Sequence, residues 1–126
     1  MTCLQCLSRV LAFFAVACAS AFAAGESTSP GRKVFESRCI SCHESAPPST
    51  ATLGPSLAGI FGKKAGSGNS GVHSRALAES GIVWNRASLR SYLSDPGRAV
   101  PGTIMPARVE NPQELEDLLN YLETLR

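Results

Sequence analysis

Two cysteines and a histidine stand in the order Cys39-Ile40-Ser41-Cys42-His43. A thiol adds to a vinyl group to form a thioether, and a two-residue spacer lets two thiols reach the vinyl groups on one porphyrin edge. The histidine that follows at once is placed under the iron, where an imidazole nitrogen is a good proximal ligand. The pattern is that of covalent c-type haem attachment, with Cys39 and Cys42 bonded to the macrocycle and His43 to the metal. The other uses of C-x-x-C fit this chain less well. A dithiol redox site expects a βαβ pattern, which the sequence lacks. A zinc site expects a second Cys/His pair, and the only other histidine is His73, alone.

The far side of the iron needs a ligand too. Met105 lies in Val100-Pro101-Gly102-Thr103-Ile104-Met105-Pro106, where two prolines and a glycine imply an ordered, turn-rich loop. A lone methionine among apolar residues ordinarily packs a core. Downstream of a haem-attachment motif, its thioether is the candidate sixth ligand. A Met/His pair favours ferrous over ferric iron and occupies both axial positions. The iron is then left to exchange electrons, which implies an electron-transfer protein and not an enzyme. A ligand sensor or peroxidase would need an open or labile axial site, of the kind oxidation of the methionine would create. No paired carboxylates or Ser/His/Asp set is evident. The Gly-rich run from Gly66 to Gly71 follows no expected strand and lacks the Lys-Ser/Thr ending of a phosphate loop.

These residues must be positioned by few elements. The chain has 126 residues, enough for one small domain. Residues 1–24 read as a cleaved secretory signal peptide: a lead charged only at Arg9, an apolar run from Val10 to Ala23, and Ala21-Phe22-Ala23 as an A-x-A cleavage site. The run is short for a membrane span, and no later segment approaches the ~20 apolar residues required, so the mature chain has no integral membrane segment. Cys3, Cys6 and Cys18 fall in the leader. Ala15-Val16-Ala17-Cys18 loosely resembles a lipoprotein box but lacks the usual Leu, which disfavours a lipid anchor on Cys18. Residues 25–30 form a short polar lead-in, and 31–126 form the domain. Loss of Arg9 takes the 12 basic residues to 11 against 10 acidic ones, a balance that gives no case for nucleic acid.

Helices are expected over Gly31 to Cys42, Ser74 to Ser80, and Asn85 or Arg86 to Asp95, the last with Leu89, Tyr92 and Leu93 on one face. Gly81 should stop the second, and Asp95-Pro96-Gly97 the third. The C-terminal helix is announced by Asn111 as N-cap, Pro112 at the first helical position and Glu114 as in a capping box. Leu115, Leu118, Leu119, Leu122 and Leu125 form its apolar stripe. Between the helices run loops, Glu44 to Thr52 and Leu53 to Gly71, whose apolar residues Leu53, Leu57, Ile60 and Phe61 should point inward. No strand is expected. The fold class is all-α, with three to five helices, and so small a domain gains from an internal prosthetic group.

The chain resembles the class I cytochromes c. The likeness runs from about Gly31 to Leu125 and is carried by Cys39-Ile40-Ser41-Cys42-His43, Leu53-Gly54-Pro55-Ser56-Leu57, Gly59-Ile60-Phe61-Gly62-Lys63-Lys64, Gly81-Ile82-Val83-Trp84 and Pro101-Gly102-Thr103-Ile104-Met105. The resemblance implies helices and long loops wrapped around one haem c, covalent through Cys39 and Cys42, with His43 and Met105 as axial ligands. It implies that Pro55 offers its carbonyl to the proximal histidine. It places Trp84 at a haem propionate, Tyr92 near the methionine sulfur, and Gly31, Phe35 and Tyr121 at a helix crossing. Departures from the mitochondrial pattern are Lys63 for an Arg near the propionates, His73 for a propionate-bound Tyr, Leu77 for an Asn and Ile104 for a Lys before the methionine. His73 is expected to donate to a propionate in place of the Tyr.

On this reading the protein is a periplasmic electron carrier. Its donor would be a quinol-oxidising complex or a dehydrogenase, its acceptor a terminal oxidase, and it would act as a monomer. Electron transfer needs only a small, short-lived contact. The alternative is a dedicated haem c subunit of a periplasmic oxidoreductase, for example in sulfur-compound or alcohol oxidation. Near-neutral charge and Ile104 at the haem edge imply association that depends weakly on salt.

Overall fold

Gly31 and the C-terminal helix organise the molecule. In the computed structural model, residues 29–45, 53–68 and 72–126 are described. Among them are five helices: α1 (Pro30–Arg38), α2 (Arg75–Glu79), α3 (Arg86–Ser94), α4 (Pro96–Ala99) and α5 (Pro112–Thr124). The only extended pairing among the described residues is an isolated antiparallel bridge, Lys64 to Val83. The leader, most of the lead-in, and residues 46–52 and 69–71 of the loops lie outside the described residues.

The N-cap of α5 is the one written in the sequence, but Glu114 closes no capping box there: its carboxylate pairs with Arg38 at 3.0 Å. Asn111 accepts from the backbone N–H groups of Gln113 and Glu114, and Pro112 opens α5 where no N–H is needed. Asn85 and Ser88 exchange side-chain and backbone bonds in a capping box at α3. Ser74 caps α2, and Gly81 beyond its end has φ +72°, the left-handed conformation that terminates helices.

α1 crosses α5 closely because residue 31 has no side chain. A Cβ there would run into the carbonyl oxygen of Asp117 and stand 2.7 Å from Tyr121 Cβ. Phe35 and Tyr121 meet beside this point, ring centroids 5.6 Å apart and tilted by 56°. Leu115, Leu118, Leu119 and Leu122 are buried, together with Val34, Phe35, Leu89, Tyr92 and Leu93, in one core. Arg86 and Arg90 of α3 both reach Glu116 of α5, and Arg86 also reaches Glu123 and Asn120.

Two further expectations are corrected and one is extended. The first helix ends at Arg38 rather than Cys42, because the Phe35 carbonyl accepts from both Cys39 N (2.8 Å) and Ile40 N (3.1 Å) and the chain turns away. Asp95-Pro96-Gly97 does more than stop α3: Asp95 caps α4, with Pro96 at its first position. Leu53 is 72% exposed instead of inward-facing. The chain bends at residues 53 and 54, and there the inward place belongs to Gly54, which is buried. Leu57, Ile60 and Phe61 do lean on the core, each half-buried.

Candidate haem site

Where α1 ends, the attachment motif begins. The Cys39 carbonyl accepts from both Cys42 N (3.0 Å) and His43 N (2.9 Å), winding the five residues into a tight turn. Cys39 is buried and Cys42 half-buried, and neither is in a disulfide. Burial pushes the Cys39 thiol up to about 11; the Arg38 guanidinium opposes this and Cys42 adds to it. Ser41 Oγ donates to Cys42 Sγ at 3.7 Å.

His43 is oriented from across the chain. Its Nδ1 lies 2.7 Å from the Pro55 carbonyl oxygen. A carbonyl only accepts, so Nδ1 carries the proton and Nε2 the lone pair, the tautomer a metal ligand needs. The Pro55 segment is itself clipped to the motif, since Gly54 N donates to Cys42 O (2.8 Å) and Leu57 N to Glu44 O (2.8 Å).

Met105 sits half-buried against the core on the loop after α4. Gly102, at φ +91°, turns that loop, and Thr103 N bonds the Val100 carbonyl at 3.0 Å. Thr103 Oγ1 accepts from Met105 N at 3.4 Å and shares a 2.6 Å hydrogen bond with the Tyr92 hydroxyl. Burial raises the Tyr92 phenol above its ordinary range, with the Thr103 hydrogen bond opposing. Trp84 is buried against Tyr92, ring centroids 5.1 Å apart.

Two expected site residues are tied into loops. Lys63 Nζ donates to the Ala58 carbonyl at 2.7 Å, closing its own turn. His73 Nε2 donates to the Gly68 carbonyl at 3.0 Å, and its buried Nδ1 has no hydrogen-bond partner among the described residues. The structure therefore gathers Cys39, Cys42, His43 and Pro55 into one constellation, and Trp84, Tyr92 and Met105 into a second. Sequence reasoning missed Thr103 as the link between Tyr92 and Met105, and Gly54 as the residue beneath the His43 ring. A Thr-x-Met spacing carries no signal of a tyrosine 11 residues away.

The donor set fits a haem. A lone-pair nitrogen and two cysteine sulfurs outside any disulfide stand in one turn, and no three His, Cys, Asp or Glu side chains converge for a metal ion among the described residues. Leu57, Ile60, Phe61, Leu77, Ile82 and Met105 are half-buried apolar groups suited to the face of a macrocycle.

Residues 28–126 match the family model for cytochrome c. The chain belongs to the cytochrome c family. It is 35% identical over 115 residues to cytochrome c2 of Blastochloris viridis, covering 90% of each chain. To cytochrome c2 of Rhodomicrobium vannielii it is 38% identical over 107 residues, 84% of each. The solved structure of cytochrome cH from Methylobacterium extorquens superposes with a TM-score of 0.68 at 37% identity, covering 75% of this chain and 95% of that one. The cytochrome carries one haem c, covalent through Cys39 and Cys42, and is an electron carrier rather than an enzyme. Among the described residues, no helix is long and apolar enough to cross a membrane.

Proposed function

We propose that His43 and Met105 are the axial ligands of the haem iron, and that this cytochrome is an exported carrier passing single electrons between redox proteins of the periplasm. The observation that carries the axial assignment is the 2.7 Å bond from His43 Nδ1 to Pro55 O, which leaves Nε2 as the free donor. When bound, the haem supplies one reversible electron between Fe(II) and Fe(III). The chain supplies the rest. Pro55 strengthens His43 as a donor by taking hydrogen-bond density from its far nitrogen. Thr103 and Tyr92 fix the loop that presents Met105, and Trp84, Lys63 and His73 would lie on the propionate side of a bound haem.

Export rests on the leader at residues 1–24, cleaved before the lead-in at 25–30 and the domain from 31. Its partners are a quinol-oxidising complex or dehydrogenase as donor and a terminal oxidase as acceptor, met by a monomer. Six arginines are held in ion pairs with glutamates, which supports contacts that depend weakly on salt.

Absorption spectra of the oxidised and reduced holoprotein test the axial assignment. The expected result is a low-spin c-type spectrum with a sulfur-to-iron charge-transfer band that disappears in Met105→Ala. A high-spin spectrum, or ready carbon monoxide binding by the parent protein, would mean an open iron and would end the carrier reading of this site.

A further inference from the structure

Gly54 is a glycine for a different reason from five others among the described residues. Gly59, Gly62, Gly66, Gly81 and Gly102 all have positive φ, whereas Gly54 does not, so its backbone is open to any residue. What forbids a side chain is the imidazole. A Cβ on residue 54 would stand 2.6 Å from His43 Nδ1 and 2.9 Å from Nε2, and closer still to Cε1. Ordinary carbon contacts lie near ~3.5–4.0 Å.

We infer that Gly54 is a positioning residue for His43: its bare Cα is the stop that fixes how the imidazole ring is turned, and so where Nε2 points. The inference rests on the reading of His43 as axial ligand. One hydrogen bond, Nδ1 to Pro55 O, fixes the tautomer and one edge of the ring but leaves the ring free to tilt about that bond. Gly54 removes that freedom at the face of the ring, over Cε1, Nδ1 and Nε2, where not even a Cβ would fit. The backbone under the ring cannot yield, because His43 N is bonded to Cys39 O at 2.9 Å and Cys42 is covalently anchored. Residue 54 cannot withdraw freely either, since its N–H is bonded to Cys42 O at 2.8 Å. A methyl group at 54 must therefore either rotate the ring or break the clip that carries Pro55. Both routes move Nε2 off its line.

The test compares the parent holoprotein with Gly54→Ala and Gly62→Ala. Gly62 has φ +83° with nothing within 4 Å of a Cβ, so Gly62→Ala strains a turn without touching the ring. The expected result is a partial loss of the low-spin ferric spectrum, gain of carbon monoxide binding and a shifted midpoint potential in Gly54→Ala. Gly62→Ala should keep the parent's spectrum and potential. A second measurement needs no variant: in the reduced parent, a strong nuclear Overhauser effect should join Gly54 Hα to the His43 ring Hε1. Absence of that effect, or a parent-like spectrum and potential in Gly54→Ala, overturns the inference alone. A high-spin parent spectrum overturns the axial reading and the inference with it.

Discussion

The crossing of α1, α3 and α5 and the chain that runs from Leu53 to Trp84 and on to Met105 are held by different kinds of force. The crossing is side chain against side chain: Phe35 on Tyr121, the α5 leucines on α1 and α3, and arginines of α3 across to Glu116. The loop half is mostly backbone bonded to backbone. Gly62 N bonds Trp84 O, Trp84 N bonds Lys63 O, Ala65 N bonds Ile82 O and Val72 N bonds Leu53 O, with glycines at the turns. Large apolar side chains are fully buried in the first region. In the second, Trp84 and Val100 are buried, but Val72 and Leu53 are exposed, and Leu57, Ile60, Phe61 and Leu77 are only half-buried. The difference separates two tasks. The division predicts that the crossing chiefly sets stability, and that the side chains the loops turn toward the haem set what the iron experiences.

The separation can be broken most directly at Leu118, which is 0% exposed in the crossing. Leu118→Ala removes buried methyl groups and leaves a cavity, and should cost ~2–5 kcal/mol of stability. Denaturant unfolding of the holoprotein, read by circular dichroism, measures it. The visible spectrum of the folded variant should match the parent. A changed spectrum would show that the crossing also tunes the iron, and the two tasks would not be separate.

The same division explains what could be read before the structure. The α3 and α5 sides of the crossing were legible almost to the residue because their signals are local: Asn111-Pro112 at the start of α5, leucines at helical spacing after it, and Asn85 before Leu89, Tyr92 and Leu93; the end of α1, set by the turn of the attachment motif, was not. Asp95-Pro96 carries the same cap-and-proline signal as Asn111-Pro112, yet it reads as a stop because Gly97 follows. The attachment motif was legible because five adjacent residues hold its chemistry. Leu53 misled because an apolar residue in a loop says nothing about which face it takes. That choice is made by Gly54, whose reason for being small lies on His43 11 positions away. Thr103 was missed likewise, since its partner Tyr92 is in another element.

Thr103 sharpens the comparison from the loop side. Thr103→Val keeps the shape but removes the partner of the Tyr92 hydroxyl and the acceptor of Met105 N. An orphaned buried hydroxyl costs ~1–3 kcal/mol. Because the Thr103 hydrogen bond opposes the rise that burial gives the Tyr92 phenol, its loss should move that titration still higher. The sign for stability follows. A phenol raised above its ordinary 10.0 favours folding fully below that pH and loses its contribution as pH rises through the folded value. Thr103→Val should also weaken the sulfur-to-iron band, which Leu118→Ala should not. Ultraviolet titration and the visible spectrum read both effects, and an unaltered band would detach Thr103 from Met105.

His73 probes the loop half at one hydrogen bond. Its Nε2 is spent on Gly68 O, and a carboxylate only accepts, so a propionate would compete with Gly68 for that proton. If the propionate takes it, His73→Phe should lower the midpoint potential by leaving that carboxylate without its donor. Potentiometry of both proteins at one pH checks it, and an unchanged potential would leave His73 as a loop residue that only bonds Gly68.

The smallest effect is expected at the exposed seam between α3 and α5. Arg90 and Arg86 hold Glu116 by hydrogen bonds, carrying its carboxyl down from 4.5 to about 2 despite its exposure. A carboxyl depressed in the folded state contributes stability above its unfolded value and loses it as pH falls through the folded one. The window therefore runs from 4.5 down to about 2, and the contribution is intact at neutral pH. Solvent and salt screen such pairs, so Glu116→Gln should lower Tm only slightly at pH 7 and by less in high salt. The parent should lose more stability than the variant between pH 5 and 3, because only the parent has this carboxyl to protonate. Thermal unfolding across that range measures the convergence. Parallel curves would mean that the crossing owes its strength to the leucines and Gly31 alone, with the ion pairs marking the seam without holding it.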